Sequence, residues 1–327
     1  MNNNQIVHIG VDVSKDSLRL DGDTLFAGEI PNTALKIRST LKKLQKKLEE
    51  EKTLHICLEA TGPYSELMVS ECHKAGIRVS VLNPAKIRYY AKAISESAKT
   101  DPIDARVIRL FAQTKKPQPT PPPSEAQVAL RKLVLAREAL NKSVTQLCGT
   151  LESVKGSEAG KSLKQTIEYL RKKIAKLDCQ IKETVAKDEH ISGLSTALVG
   201  IVGIGELTAA KVIAQVPEIG TLGRRRAGSL AGLAPYTRDS GKFKGKTFVS
   251  GGRSQVRSAL FMPATVARTH NPVLKSIYEN MRKNGKPYKV AMTAIMRRLF
   301  CHMDSVAAKW IEAQNEPPHV GSSPPTT

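Results

Sequence analysis

The sequence predicts an α/β domain, then a long helical hairpin, then a mainly helical domain. Three observations carry that reading. Between Gln5 and about Arg109, short apolar runs rich in β-branched residues alternate with helical patterns. Residues 115–124 are Pro-rich, as a linker between domains is. Beyond them Leu133, Leu140, Leu147 and Val154 recur every seven residues.

In chain order, 6–13 is a buried strand that carries one carboxylate, Asp12. A charge inside an apolar run is costly unless it is paired, holds a metal or lies at the strand's open end. Asp12 is therefore either a strand-end turn residue or a metal-binding or catalytic carboxylate. Residues 24–30 form a second strand. Leu35, Leu41, Leu44 and Leu48 mark one face of a helix. The run 54–58 is another strand; it ends at Glu59 and breaks at Gly62-Pro63, where proline suits a helix start. Residues 78–82 make a further strand, closed by Asn83-Pro84. The basic segment around Lys86, Arg88, Lys92 and Lys99 is either a solvated helix face or a polyanion contact. Pro102 fits the first turn of the next helix. Asp101 and Asp104, three apart, face one way on that turn, either as favourable charges at a helix start or as a site.

The second half opens with the hairpin. Its return arm carries Leu163, Ile167, Leu170, Ile174, Leu177 and Ile181, and each arm spans on the order of 40 Å at the α-helical rise. In 198–216, Gly203-Ile204-Gly205 interrupts two apolar helical patterns. This is either a tight turn or a helix-hairpin-helix-like motif that offers backbone N–H groups to a phosphate. Arg224, Arg225 and Arg226 lie nearby. Residues 231–246 are rich in Gly and cations; Ser240 sits among Arg238, Lys242, Lys244 and Lys246, with Arg253 and Arg257 further on. A helix over about 287–303 carries Arg297 and Arg298. The tail 314–327 reads as disordered. The domain expectation is thus 1–114, linker 115–124, coiled-coil hairpin 125–190, carboxy-terminal domain 191–313, and tail.

Composition narrows the function. Lys and Arg number 51 against 30 Asp and Glu, a formal charge of +21, which calls for a polyanionic partner. No run is long enough to span a bilayer and the start, Met-Asn-Asn-Asn-Gln, does not read as a signal peptide. The expected location is the bacterial cytoplasm, at the nucleoid, rather than a membrane. Five cysteines, none spaced as Cys-x-x-Cys, exclude the familiar zinc and redox motifs. Aromatic residues are 4%, so backbone electrostatics should outweigh base stacking.

Four carboxylates therefore stand out: Asp12, Glu59, Asp101 and Asp104. If they converge they repel unless a cation neutralises them, and Mg²⁺ suits hard oxygen ligands. Together with Ile9-Gly10-Val11-Asp12-Val13-Ser14-Lys15, Leu58-Glu59-Ala60-Thr61-Gly62, Lys99-Thr100-Asp101-Pro102-Ile103-Asp104, Gly232-Leu233-Ala234-Pro235 and Ser240-Gly241, they make the chain resemble the DEDD transposases of bacterial insertion sequences, relatives of the Piv and MooV DNA invertases. Gly252-Arg253, His270-Asn271-Pro272 and Gly285-Lys286-Pro287 extend the likeness.

The resemblance implies a RuvC-like, ribonuclease-H-type first domain with the four carboxylates as Mg²⁺ ligands. It also implies a carboxy-terminal transposase domain with Ser240 as nucleophile, forming a phosphoserine link to DNA. A bridge RNA would choose donor and target DNA. Homodimers would assemble into a tetramer, pairing the acidic cluster of one subunit with the serine of another. Gly203, Gly205, Arg238, Lys242, Lys244, Arg253 and Arg257 are the expected nucleic-acid contacts. Two alternatives stay open: a RuvC-like nuclease or junction resolvase that cuts with water, and a non-catalytic nucleic-acid scaffold. An actin-like sugar kinase suits neither the charge nor the absence of a later adenosine-binding glycine motif.

Overall fold

The computed structural model describes residues 5–48, 52–60, 62–94, 101–237, 245 and 247–315; the side chains of residues 63 and 101–103 lie outside that description. The chain forms two compact units, residues 1–122 and 123–327.

Unit 1 is built on a five-stranded sheet. Its elements are β1 (Gln5–Val13), β2 (Ser17–Asp21), β3 (Ala27–Pro31), α1 (Ala34–Lys47), β4 (Lys52–Glu59), α2 (Pro63–Lys74), β5 (Arg78–Leu82), α3 (Pro84–Ala93) and α4 (Asp101–Lys115). The strand order is β3-β2-β1-β4-β5. β1, β4 and β5 run parallel, whereas β1, β2 and β3 form an antiparallel meander. Between β1 and α1 the sequence pattern shows one strand, 24–30; the structure has two, β2 and β3. β2 is a five-residue alternating strand in which only Leu18 and Leu20 are buried, and so short a period-two signal passes for a loop.

The sheet's two faces carry different cores. Ile9, Val11, Leu18, Leu20, Ile56 and Leu58 pack with Ile37, Leu41 and Leu44 of α1 and Met68 and Cys72 of α2. On the other face Cys57 and Leu82 pack with Ile87 of α3 and Val107, Ile108, Phe111 and Ala112 of α4. Tyr90 of α3 meets Phe111 edge-on at 5.4 Å. The Pro-rich segment runs beside the edge strand β5: Thr120 N–H donates to the Val79 carbonyl (2.7 Å), and Val81 N–H to Thr120 Oγ1 (3.1 Å). Bonding of this kind satisfies the backbone groups an edge strand leaves open.

Among its described residues unit 2 is helical apart from one short ladder. Its elements are α5 (Glu125–Ser153), α6 (Glu158–Lys187), α7 (Glu189–Val199), α8 (Glu206–Gln215), α9 (Gly223–Leu230), β6 (Pro235–Tyr236), β7 (Phe248–Val249), α10 (Ser254–His270), α11 (Pro272–Lys283) and α12 (Tyr288–Asn315). α12 runs well beyond the 287–303 helix that the sequence pattern shows. Ser124 and Gln127 form a capping box at the start of α5, and Ser157 caps α6. α5 and α6 pack antiparallel. Val144, Ile167 and Ile174 fill the seam at the far end, and Arg137 pairs with Asp178 nearer the base. At the base, Leu130, Val134 and Ile181 join the main core of α7, α8, α10 and α12. Among the described residues no helix is long and apolar enough to cross a membrane. The expected tail lies outside the described residues from 316 onward.

Candidate active site

Strand periodicity decides where the first two carboxylates point. Side chains two apart on a strand share a face. Gly10 lies against α4: a Cβ there would meet the Ala105 carbonyl oxygen at 2.0 Å and the Arg109 nitrogen at 2.6 Å. Asp12, two residues on, belongs to the same face. In the parallel register Gly10 opposes Cys57, and Cys57 packs on α4. Glu59, two beyond Cys57, therefore also faces the α4 layer. Val11 opposes Leu58, so Asp12 and Glu59 fall at the next register step, at the carboxyl ends of neighbouring parallel strands.

α4 completes the layer. Asp104 immediately precedes Ala105, the residue that Gly10 touches. Asp12, Glu59 and Asp104 are each partly exposed, and each takes part in a polar or electrostatic interaction. Asp101 opens α4, and its side chain lies outside the described residues. Among the described residues no group of three or more His, Cys, Asp or Glu side chains is arranged to hold a metal ion. The donor chemistry nonetheless fits Mg²⁺: three carboxylates share one layer and no thiolate competes, because burial pushes the Cys57 thiol up to about 12.

Two features that hold this layer were not singled out from the sequence. Gly10 permits the close approach. Arg109, 7% exposed, ties α4 to the β2–β3 hairpin: its Nε donates to Asp21, and Nη2 lies 3.6 Å from Asp23. No sequence signal marks Arg109, because its partners, Asp21, 88 positions away, and Asp23, are remote in the chain. On the same face, at the opposite end of the strands, the His8 and His55 rings lie 5.1 Å apart, tilted by 40°. His55 is held neutral, its pKa lowered to about 4 by burial and by the neighbouring His8 and Arg78. Its Nε2 is 2.8 Å from Ser80 Oγ, which donates to the Gln118 carbonyl.

In unit 2, Ser240, Arg238, Lys242 and Lys244 lie outside the described residues, but the flanks of their segment are described. Gly232 (φ 64°) and Gly252 (φ 67°) meet backbone to backbone. A Cβ on Gly252 would lie 2.1 Å from Gly232 N, and one on Gly232 would lie 2.1 Å from the Gly251 carbonyl oxygen. Only glycine combines that conformation with that contact. Between the two glycines, Pro235 pairs with Val249 and Tyr236 with Phe248. The described flanks of the segment that carries Ser240 are thus joined twice.

The expected nucleic-acid contacts divide. Arg253 works inside the unit: its backbone N–H donates to the Leu230 carbonyl (2.6 Å), Nη1 to the Gln215 carbonyl (2.8 Å), and Nη2 pairs with Glu218 (2.6 Å). Arg257 Nη1 donates to the Gly251 carbonyl at 3.0 Å. Gly203 (φ 97°) has a packing reason to be glycine, since a Cβ would meet the Pro263 carbonyl oxygen at 2.8 Å. Gly205 instead is exposed at the start of α8, with open space where a Cβ would sit. Asp304 of α12, 4% exposed, accepts from Gly220 N (2.8 Å), Leu222 N (3.4 Å) and Gly223 N (2.8 Å), fixing the start of α9 with its three arginines.

Comparison with known proteins adds sequence matches in both halves. Residues 9–154 match a transposase family of the DEDD IS110 type, and residues 195–279 match the family described as Transposase IS116/IS110/IS902. The pilin gene-inverting protein of Moraxella bovis is 28% identical over 251 residues, covering 76% of this chain and 78% of that protein. Its counterpart in Moraxella lacunata matches to the same extent. The insertion element IS110 uncharacterized 43.6 kDa protein of Streptomyces coelicolor is 24% identical over 378 residues, 89% of this chain and 91% of that one.

Proposed function

We propose, from the matches of residues 9–154 and 195–279 to two transposase families, that the chain is an RNA-guided recombinase of an insertion sequence. It would cut and rejoin donor and target DNA through a covalent phosphoserine. The supporting observation is the shared α4 face of Asp12 and Glu59, at the carboxyl ends of parallel strands beside Asp104. In this reading unit 1 is RuvC-like and Asp12, Glu59, Asp101 and Asp104 hold Mg²⁺. When bound, Mg²⁺ supplies charge stabilisation at the entering and leaving oxygens of a phosphodiester.

The rest of the work falls to the protein. A serine hydroxyl is a weak nucleophile until a base removes its proton. A base takes the Ser240 proton as Oγ attacks phosphorus, the O–P bond to one strand end breaks, and the departing oxygen takes up a proton and leaves as a hydroxyl. The bond energy is kept in the serine ester, so the reverse attack by another strand's hydroxyl rejoins DNA without ATP. Arg238, Lys242 and Lys244 offset the charge that develops on the phosphate. The glycine contact between residues 232 and 252 joins the described flanks of the segment that carries Ser240. Base pairing to a bridge RNA selects the sites, while the +21 charge holds the backbones. Dimers and tetramers bring the acidic cluster of one copy to the serine of another.

The test is a reaction of the purified protein with Mg²⁺, its co-purifying RNA and matching DNA. A protein–DNA adduct that survives denaturing electrophoresis in wild type, and disappears in Ser240→Ala, is expected. An undiminished adduct or full recombination in Ser240→Ala would overturn the serine's role.

A further inference from the structure

A cavity of about 500 Å³ opens between α10 and the start of α12, and the proposed chemistry does not use it. Met292, Met296 and Leu233 line it from the core side, 1%, 6% and 2% exposed. Two half-exposed rings, Phe261 and Tyr288, line it as well, in a chain with few aromatics. Arg257 and Lys289 bring positive charge to the lining, and among the described residues neither Asp nor Glu is part of it. Ser258 and Thr293 add hydroxyls.

We propose that this cavity holds one unstacked nucleotide of the DNA strand being joined; the assignment rests on the reading of the Ser240 loop given above. A nucleobase has two apolar faces, a polar edge and a flanking phosphate. Thioethers and rings suit the faces, hydroxyls suit the edge, and the two cations suit the phosphate. An apolar peptide would leave both cations unanswered. The size falls within the range of small-ligand pockets. Position adds a second argument. Leu233 directly follows Gly232, and Arg257 donates to the Gly251 carbonyl at 3.0 Å, so the cavity shares a wall with the glycine contact. A nucleotide seated there lies beside the contact of Gly232 with Gly251 and Gly252, which flank the segment that carries Ser240.

The experiment uses full-length Ser240→Ala protein in EDTA, so that binding is read without strand chemistry. Single-stranded DNA containing 4-thiothymidine is irradiated and the crosslinked residue is mapped by mass spectrometry. Crosslinks at Phe261, Tyr288 or Met292 are expected. Ser258→Trp, which fills the cavity from the exposed side of α10, should weaken binding of a base-bearing oligonucleotide roughly tenfold. It should leave binding of a wholly abasic one within about twofold. Lys289→Gln should reduce the salt slope of binding by about 0.7, one single-strand phosphate contact. Crosslinks that all map elsewhere, or equal losses for the two oligonucleotides, overturn the proposal. So does 4-thiouridine RNA that labels the cavity when DNA does not. None of these readouts needs a nucleophilic serine, so this proposal and the phosphoserine reading can fail separately.

Discussion

Gly10 of β1 and Ala105 of α4 approach so closely that a methyl group on Gly10 would sit 2.0 Å from the Ala105 carbonyl oxygen. That contact sets the height of α4, which carries Asp104, above the sheet face that carries Asp12 and Glu59. Gly10→Ala must push the first turns of α4 outward, because the obstacle is helix backbone that no rotamer change removes. We expect a stability loss of about 1–3 kcal/mol, typical of overpacking, with strand cleavage lost before the fold is. Thermal melts beside a cleavage assay check it; a Gly10→Ala protein with wild-type activity would show that α4 height does not matter.

The acidic layer makes a separable claim. Asp12→Asn keeps shape and removes one anionic ligand. It should abolish Mg²⁺-dependent strand cleavage and leave nucleic-acid affinity within about threefold, since binding rests mainly on cations to phosphate. Mixing Asp12→Asn with Ser240→Ala should restore part of the activity if the two half-sites come from different subunits. No rescue in verified heterodimers would place both halves in one chain.

How much of this was legible beforehand depends on sequence distance. β1, β4 and β5 are short, mostly apolar runs, and Asp12 and Glu59 stand out as charges at the ends of β1 and β4. The strand period says that Asp12 shares a face with Gly10, but only the packed helix shows why residue 10 is glycine. β2 escaped because its five residues bury two side chains on one face, too little signal against the turns that flank it. The Pro-rich stretch announces its lack of helix, yet its bonds to β5 join residues about 40 positions apart. Likewise Gly232 and Gly252 are ordinary turn glycines in the sequence; their contact is a tertiary fact.

That contact gives a third expectation. Gly252→Ala places a Cβ 2.1 Å from Gly232 N at a φ of 67°, so conformation and space both oppose it. The flanks of the Ser240 segment should part. Adduct formation should fall at least tenfold while Asp12-dependent metal binding, measured by calorimetry, stays intact. Unchanged adduct yield would mean that the β6–β7 ladder joins those flanks without the glycines.

Arg253 separates an internal role from a nucleic-acid role. It bridges the Gln215 carbonyl and Glu218, and it follows the clamp glycine. Arg253→Gln should lower stability by about 1–2 kcal/mol, as losing a charge-assisted pair does, and shift the thermal midpoint by several degrees. Were Arg253 a phosphate contact alone, the midpoint would hold and only the salt slope of binding would change.

Acid should loosen unit 1 through its histidine pair. His55 is 2% exposed, beside His8 and bonded to Ser80, and its pKa of about 4 lies below the ordinary 6.5. Burial is the main cause, so the unfolded chain accepts a proton that the fold refuses. Stability from this residue is complete above about pH 6.5 and declines as pH falls through the interval down to about 4. Below that interval both states are protonated and the loss levels off. Between pH 7 and pH 5 the decline should be about 2 kcal/mol. His8, also shifted down by burial and by Lys116, acts in the same direction. Urea titrations at the two pH values measure it. In His55→Gln, which keeps a polar group toward Ser80 without a titrating ring, the slope should flatten by most of that amount; an unaltered slope would assign the acid sensitivity to other groups.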